Sequence, residues 1–151
     1  MILGLDHVGL ATDDAAGVGT LLAALGLRSG DTGTADEYGV SCDFWHVGDE
    51  RVAVEVVAPV RDGSAVDARL ERDGPGLYHV AFRVDDLEAE VARLRGEGFV
   101  AVDRQPCAGA RPGMRVVFLY VRKPGAFLIE LVALGGRRKL PGEQINVVLQ
   151  Y

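Results

Sequence analysis

The sequence predicts an α+β fold: two tandem βαβββ modules forming a curved mixed sheet around a central metal or ligand cavity. Three observations carry this expectation. The segment "HVGLATDDAAGVGTLLAALGL" (7–27) aligns without gaps with "HVAFRVDDLEAEVARLRGEGF" (79–99), so that His7 and His79 stand 72 residues apart. Each copy runs from a short alternating strand through an Asp-Asp pair into an amphipathic stretch, the order strand then helix. Each half then buries a glutamate in an apolar run, Glu55 in "VAVEVVAP" (52–59) and Glu130 in "FLIELVAL" (127–134).

The elements follow from local signals. The first strand holds His7 and stops at Asp13-Asp14, good helix N-cap residues. The helix that follows turns Val18, Leu21, Leu22 and Leu25 to one side and stops at Gly26. Strands are expected over 38–47 and 51–59, and a further one near 27–33 completes the first module, residues 1–60. The segment 61–76 reads as a linker with a short helix from Ser64, bounded by turn residues. The second module, 77–134, repeats the plan. Its strand holds His79; Asp85 and Glu88 have capping-box spacing, and Leu87, Val91 and Leu94 mark the buried side of its helix. Gly98 stops that helix, and strands are expected over 98–103, 115–121 and 126–133. The tail 135–151 lies outside the repeat, and its "INVVLQY" is a candidate edge strand or subunit contact.

Composition bounds the partners. With 151 residues, 48% of them hydrophobic and 25% charged, the chain can bury a sizeable core. A formal charge of −6 and a pI near 5.0 argue against nucleic acid, whose phosphates need a basic face. Only "RRK" (137–139) is locally basic. Cys42 and Cys107 have no metal-type spacing and suit a reducing compartment. The start "MILGLDHVGL" lacks a signal-peptide pattern and no apolar stretch is long enough to cross a bilayer, so a cytoplasmic protein without membrane contact is expected.

Strand periodicity turns the repeat into chemistry. His7 shares a face with Gly9 and Ala11, His79 with Ala81 and Arg83, Glu55 with Ala53 and Val57, and Glu130 with Leu128 and Val132. The opposite faces of the glutamate strands are apolar and should pack on helices. A carboxylate in such surroundings is costly unless a cation or donors satisfy it, and two would repel each other. A divalent ion answers both demands. Pseudo-twofold packing would bring His7, Glu55, His79 and Glu130 to one point, an N/O donor set suited to Mn, Fe, Co, Ni or Zn with two positions left for water or substrate. His46, in "DFWHVGD", has no counterpart in the repeat and reads as structural or exposed.

These residues resemble the vicinal oxygen chelate superfamily, the glyoxalase/bleomycin resistance/dioxygenase group, over roughly residues 3–134. Within it, "LDHVGLAT", "VGDERVAVEVVAPV", "GPGLYHVAFRVDDLEA" and "FLIELV" are most similar to the methylmalonyl-CoA epimerases. The resemblance implies one divalent ion, cobalt foremost among Co, Ni, Mn and Zn, held by His7, Glu55, His79 and Glu130. It implies an acyl-CoA or other thioester substrate, chelated through its thioester and carboxylate oxygens while the proton α to the thioester carbonyl is removed. Glu37, in "ADEYGV", and Glu130 are then the bases on the two faces, and a homodimer is expected. The chain departs from the epimerase pattern in four places. Glu55 stands where Gln is common, which makes the donor set similar to bacterial glyoxalase I, the lactoylglutathione lyase. Tyr78 precedes His79 in place of a second histidine, "YVRKPGA" (120–126) replaces "HPK", and the first helix lacks a Phe-Tyr pair. Beside the epimerase stand three alternatives: the glyoxalase, a metal-free small-molecule-binding or resistance protein, and a tailoring enzyme of secondary metabolism. An extradiol dioxygenase, which needs two His and one Glu, is disfavoured by the extra Glu55.

Overall fold

The computed structural model describes residues 1–125 and 127–135, so the "INVVLQY" and "RRK" segments lie outside the described residues. Within them the chain runs β1 (Ile2–Ala11), α1 (Ala15–Ala24), β2 (Arg28–Ala35), β3 (Val40–His46), β4 (Ala53–Pro59), α2 (Asp67–Asp73), β5 (Gly76–Val84), α3 (Leu87–Gly96), β6 (Val100–Ala101), β7 (Cys107–Ala108), β8 (Met114–Val121) and β9 (Phe127–Leu134). The strands form one mixed sheet of nine in the order β2-β3-β4-β1-β5-β9-β8-β6, with β7 paired to β8. No helix among the described residues is long and apolar enough to cross a membrane.

The order is symmetric about its centre. β1 and β5 pair antiparallel, β4 lies parallel to β1, and β9 lies parallel to β5. Counting outward, β3 answers β8 and β2 answers β6, and each module supplies one half of the sheet. This symmetry supports 1–60 and 77–134 as the two modules and 61–76 as their connection, a division we retain as a proposal.

Both crossovers to a parallel strand pass through a helix on the apolar side of the sheet. In the second half Leu87 and Leu94 of α3 pack with Ile129 and Leu131 of β9 and with Val117 and Leu119 of β8. Each such side chain stabilises the fold by roughly 1.5–3 kcal/mol through removal from water. In the first half Leu22 of α1 is buried, and Gly19 lies so close to the Trp45 indole that a Cβ would come within 2.9 Å of it.

Local details shift by a residue or two. The second aspartate of each pair caps its helix: Asp14 accepts from Gly17 N and Asp86 from Ala89 N, both at 2.9 Å. Asp85 instead meets the N-terminal ammonium, and Glu88 pairs with Arg115 across to β8 rather than closing a capping box. Gly26 and Gly98 both end their helices at φ +91°, a left-handed conformation that a Cβ disfavours. The connecting helix starts at Asp67, three residues after Ser64, because the Asp67 carboxylate turns back onto the backbone N–H groups of Gly63 and Ser64. The strand expected over 98–103 contracts to two residues, and β7 lies outside the expected strands. Such short pieces hold too few residues to show a period of two.

Candidate metal centre

Register places the four ligand candidates in two rows across the middle of the sheet. Gly9 on β1 stands between Glu55 on β4 and His79 on β5. Ala81 on β5 stands between His7 on β1 and Glu130 on β9. Each row therefore carries one histidine, one glutamate and a small residue between them. The small residue decides whether the large ones can lean together: a Cβ on Gly9 would lie 2.3 Å from His79 Cε1, so the imidazole occupies the space that the missing side chain leaves. The space beside His7 over Gly9 is thus filled by the second histidine.

Side chains from both rows converge. His7 Nε2 lies 3.0 Å from His79 Nε2, 3.2 Å from Glu55 Oε2 and 2.8 Å from Glu130 Oε2. His79 Nε2 lies 3.1 Å and 3.0 Å from the same two carboxylate oxygens. All four residues are buried. Two donors each about 2.1 Å from one ion and at right angles are about 3.0 Å apart, whereas a tetrahedral pair is about 3.4 Å apart. The five spacings match the first arrangement. Moreover, Glu130 Oε2 is buried beside both rings with no hydrogen bond to either. Two buried carboxylates and two nitrogens brought this close need positive charge among them, protons on the imidazoles in the empty cluster or a metal ion in the filled one. The residues present fit a divalent ion, to which they would supply four donors.

Charge in the cluster is coupled. Burial works against a charged imidazole at His7, but the carboxylates of Asp6, Glu130 and Glu55 outweigh it and push the ring up to about 11. His79 is likewise disfavoured by burial yet raised by Glu130 and Glu55 to about 8. Burial also opposes ionisation of Glu55 and Glu130, and the two imidazoles more than offset it, holding both carboxyls below the usual range.

On one side the cluster borders a cleft lined in part by Glu55, His79 and Glu130. Its remaining walls are largely apolar, from Val57, Val66, Tyr78, Met114, Val116 and Phe118 among others. Apolar walls beside a few convergent polar groups are the make-up of a small-molecule site. His7 is not among the lining residues; it sits behind the cluster with the Phe44 ring edge-on at 5.4 Å between centroids.

A model of the glyoxalase/bleomycin resistance protein/dioxygenase superfamily matches residues 6–118, from within β1 into β8. The chain belongs to that superfamily. Among curated proteins, it is 30% identical to the uncharacterized protein YqjC of Bacillus subtilis (strain 168) over 128 residues, 84% of this chain and 89% of that one. It is 33% identical to the mitochondrial methylmalonyl-CoA epimerase of Dictyostelium discoideum over 96 residues, 63% of this chain and 56% of the other. Among solved structures, methylmalonyl-CoA epimerase from Mycobacterium tuberculosis aligns with a TM-score of 0.80 at 29% identity, covering 89% of this chain and 90% of its own. The Streptomyces coelicolor methylmalonyl-CoA epimerase in complex with 2-nitronate-propionyl-CoA aligns with a TM-score of 0.81 at 28% identity, covering 90% and 100%.

Within this superfamily fold the other predicted residues fall as follows. Glu37 lies exposed in the turn between β2 and β3, outside the cleft lining, while its neighbour Tyr38 does line the cleft. That turn is braced: Tyr38 Oη donates to Asp103 Oδ2 at 2.9 Å, Ala65 N donates to Tyr38 O at 2.8 Å, and Arg61 donates to Asp36 O at 3.2 Å. His46 stays away from the cluster, its Nδ1 3.2 Å from Glu50 O. Tyr78, pushed up to about 12 by burial and the nearby carboxylates, keeps its proton and is a hydrogen-bond donor in the cleft. Burial and Glu55 push the Cys42 thiol up as well, so it lines the cleft as an inert apolar surface.

The residue that strand periodicity missed is Asp6. β1 shifts register between Leu5 and His7, a bulge that leaves Asp6 and His7 both buried instead of on opposite faces. Asp6 Oδ1 lies 2.8 Å from His7 Nδ1, and Arg111 donates to the same oxygen. An acidic residue on what alternation makes the apolar face was the signal available in the sequence. Arg111, 105 positions further along, offered none.

Proposed function

We propose that this protein is a metal-dependent isomerase that removes and returns the proton α to a thioester carbonyl, in the manner of a methylmalonyl-CoA epimerase, with a small 2-substituted acyl-CoA as substrate. The observation that carries this reading is the convergence of His7, Glu55, His79 and Glu130 at the polar end of an apolar cleft. The epimerase likenesses across nearly the whole chain support the substrate class.

A divalent ion held by these four residues would act as a Lewis acid on the substrate's carbonyl oxygen and lower the cost of the enolate. The chain's own residues do the rest. The apolar walls exclude water and hold the acyl group, and Tyr78 offers a hydroxyl donor beside it. Inversion needs a base on each side of the carbon. Glu130 supplies one at the cluster. Glu37 is the candidate for the other: it stands on the braced turn beside the cleft-lining Tyr38 and would have to swing inward from its exposed position. One glutamate, as carboxylate, takes the α-proton, and the other, starting as the carboxylic acid, delivers its own proton to the opposite face.

A second reading rests on a specific feature. Glu55 Oε2 approaches both imidazoles, at 3.2 and 3.1 Å against 2.8 and 3.0 Å for Glu130, a two-His, two-Glu set similar to that of bacterial glyoxalase I. With a divalent ion this set is neutral overall, which suits an uncharged hemithioacetal. Two measurements separate these readings from a metal-free binding protein. Purified protein, stripped by chelation and reloaded with cobalt or nickel, should take about one ion per chain. The loaded protein should then exchange the α-proton of methylmalonyl-CoA with deuterium from solvent and leave the methylglyoxal–glutathione adduct unchanged. Turnover of the adduct alone would make it a glyoxalase; absence of ion and turnover would make it a binding protein.

A further inference from the structure

The two histidines occupy equivalent places in the repeat but are not held alike. His7 Nδ1 has a carboxylate partner, Asp6, which is 2% exposed and 2.8 Å away. His79 Nδ1 is buried with no hydrogen-bond partner. The position matching Asp6 in the second copy is Tyr78, whose ring meets the His79 ring edge-on at 5.2 Å, with Phe118 edge-on at 5.2 Å. One imidazole is therefore oriented by a charged hydrogen bond, the other by packing over Gly9.

Asp6 in turn depends on Arg111. The guanidinium bonds the same carboxylate oxygen, is 12% exposed, and lies 4.5 Å above the Phe44 ring that stands edge-on to His7. Arg111 comes from the loop joining β7 and β8, which belongs to the other half of the sheet. That loop is pressed against the first half: a Cβ on Gly33 of β2 would lie 2.1 Å from Ala110 O. Gly109 and Ala110 of the same loop wall the cleft.

We infer that Asp6 and Arg111 are positioning residues for metal capture: Arg111, reaching across from the β7–β8 loop, pins the Asp6 carboxylate on His7 Nδ1 and so presents Nε2 to the ion. An imidazole whose second nitrogen is fixed by a carboxylate is held in one tautomer and one rotation, and it is a more basic ligand. The charge-assisted contact from one Arg111 nitrogen to that oxygen keeps the carboxylate from turning away. His7 is thus the preorganised anchor, and His79 completes the set.

This inference rests on the cluster being a metal centre, and the test keeps the two apart. Cobalt(II) affinity is measured on stripped, full-length protein by competition with a coloured chelator, together with the melting temperature of the metal-free form. Asp6→Asn and Arg111→Met should each bind cobalt about 10–100-fold more weakly than the wild-type chain. Arg111→Lys, which keeps a cation on Asp6, should recover most of that loss. Leu94→Ala, a cavity in the distant α3 packing, should lower the melting temperature while cobalt affinity stays within about twofold. If Arg111→Met does not fold because Asp6 is left buried without its partner, the double variant Asp6→Asn/Arg111→Met removes both charges and must show the same weakening. Affinities in the Asp6 and Arg111 variants within about twofold of wild type would overturn the positioning role. So would an equal loss in Leu94→Ala. A wild-type chain that takes no cobalt would overturn the metal centre and this inference together.

Discussion

Gly9 shows how one missing side chain shapes the centre. Its neighbour across β5 is His79, and the imidazole lies where a Cβ would be, with Cε1, Nδ1 and Nε2 all within 2.7 Å of that point. Gly9→Ala should therefore displace His79 from the other donors and abolish tight cobalt uptake, which equilibrium dialysis would show. Among the ligands, Glu55→Ala and His79→Ala should each lose the bound ion and turnover, while His46→Ala, remote from the cluster, should keep both. Elemental analysis of the purified variants decides this, and an ion retained by either of the first two would remove the proposed site. Glu37→Gln tests a different role: it should leave the ion in place and suppress deuterium exchange from one epimer of the substrate only.

Two elements, the helices after each Asp-Asp pair, make the crossovers that set β4 parallel to β1 and β9 parallel to β5. Their starts depend on a single side chain each. Asp86→Ala removes the acceptor for Ala89 N and should cost about 1 kcal/mol. Urea unfolding of the metal-free chain would show it as a lower midpoint with an unchanged slope. The bulge in β1 matters as much as the helices. Regular alternation would put Asp6 on the face opposite His7, away from the cluster. The extra residue turns both inward, which explains why the strand reading found the ligand and missed its partner.

At the scale of the whole molecule, the cluster's charges link stability to pH. His79 rises from an ordinary 6.5 to about 8 and His7 to about 11, so their charged forms stabilise the folded, metal-free chain. That contribution is complete below about pH 6.5 and is lost as pH rises, first through about 8. Glu55 and Glu130 are lowered from 4.5, so theirs is complete above that value and is lost as pH falls further. Melting temperatures of the stripped protein should accordingly decline above pH 6.5. An ion requires neutral imidazoles, so cobalt affinity should climb over the same interval. A stripped protein equally stable from pH 6 to pH 9 would contradict the charged cluster.

The repeat, the order of the elements, and His7, Glu55, His79 and Glu130 as a set were legible because each depends on local pattern: period two in strands, caps and glycine stops at helix ends, and one motif written twice. The sequence by itself determined which donors this chain offers and on which strands. Tertiary structure alone decided how they meet. The register that sets Gly9 beside His79, the bulge that brings Asp6 inward and the loop that carries Arg111 back across the sheet join residues up to 105 positions apart. Such contacts arise from closing the sheet on itself, and no periodicity along the chain records them.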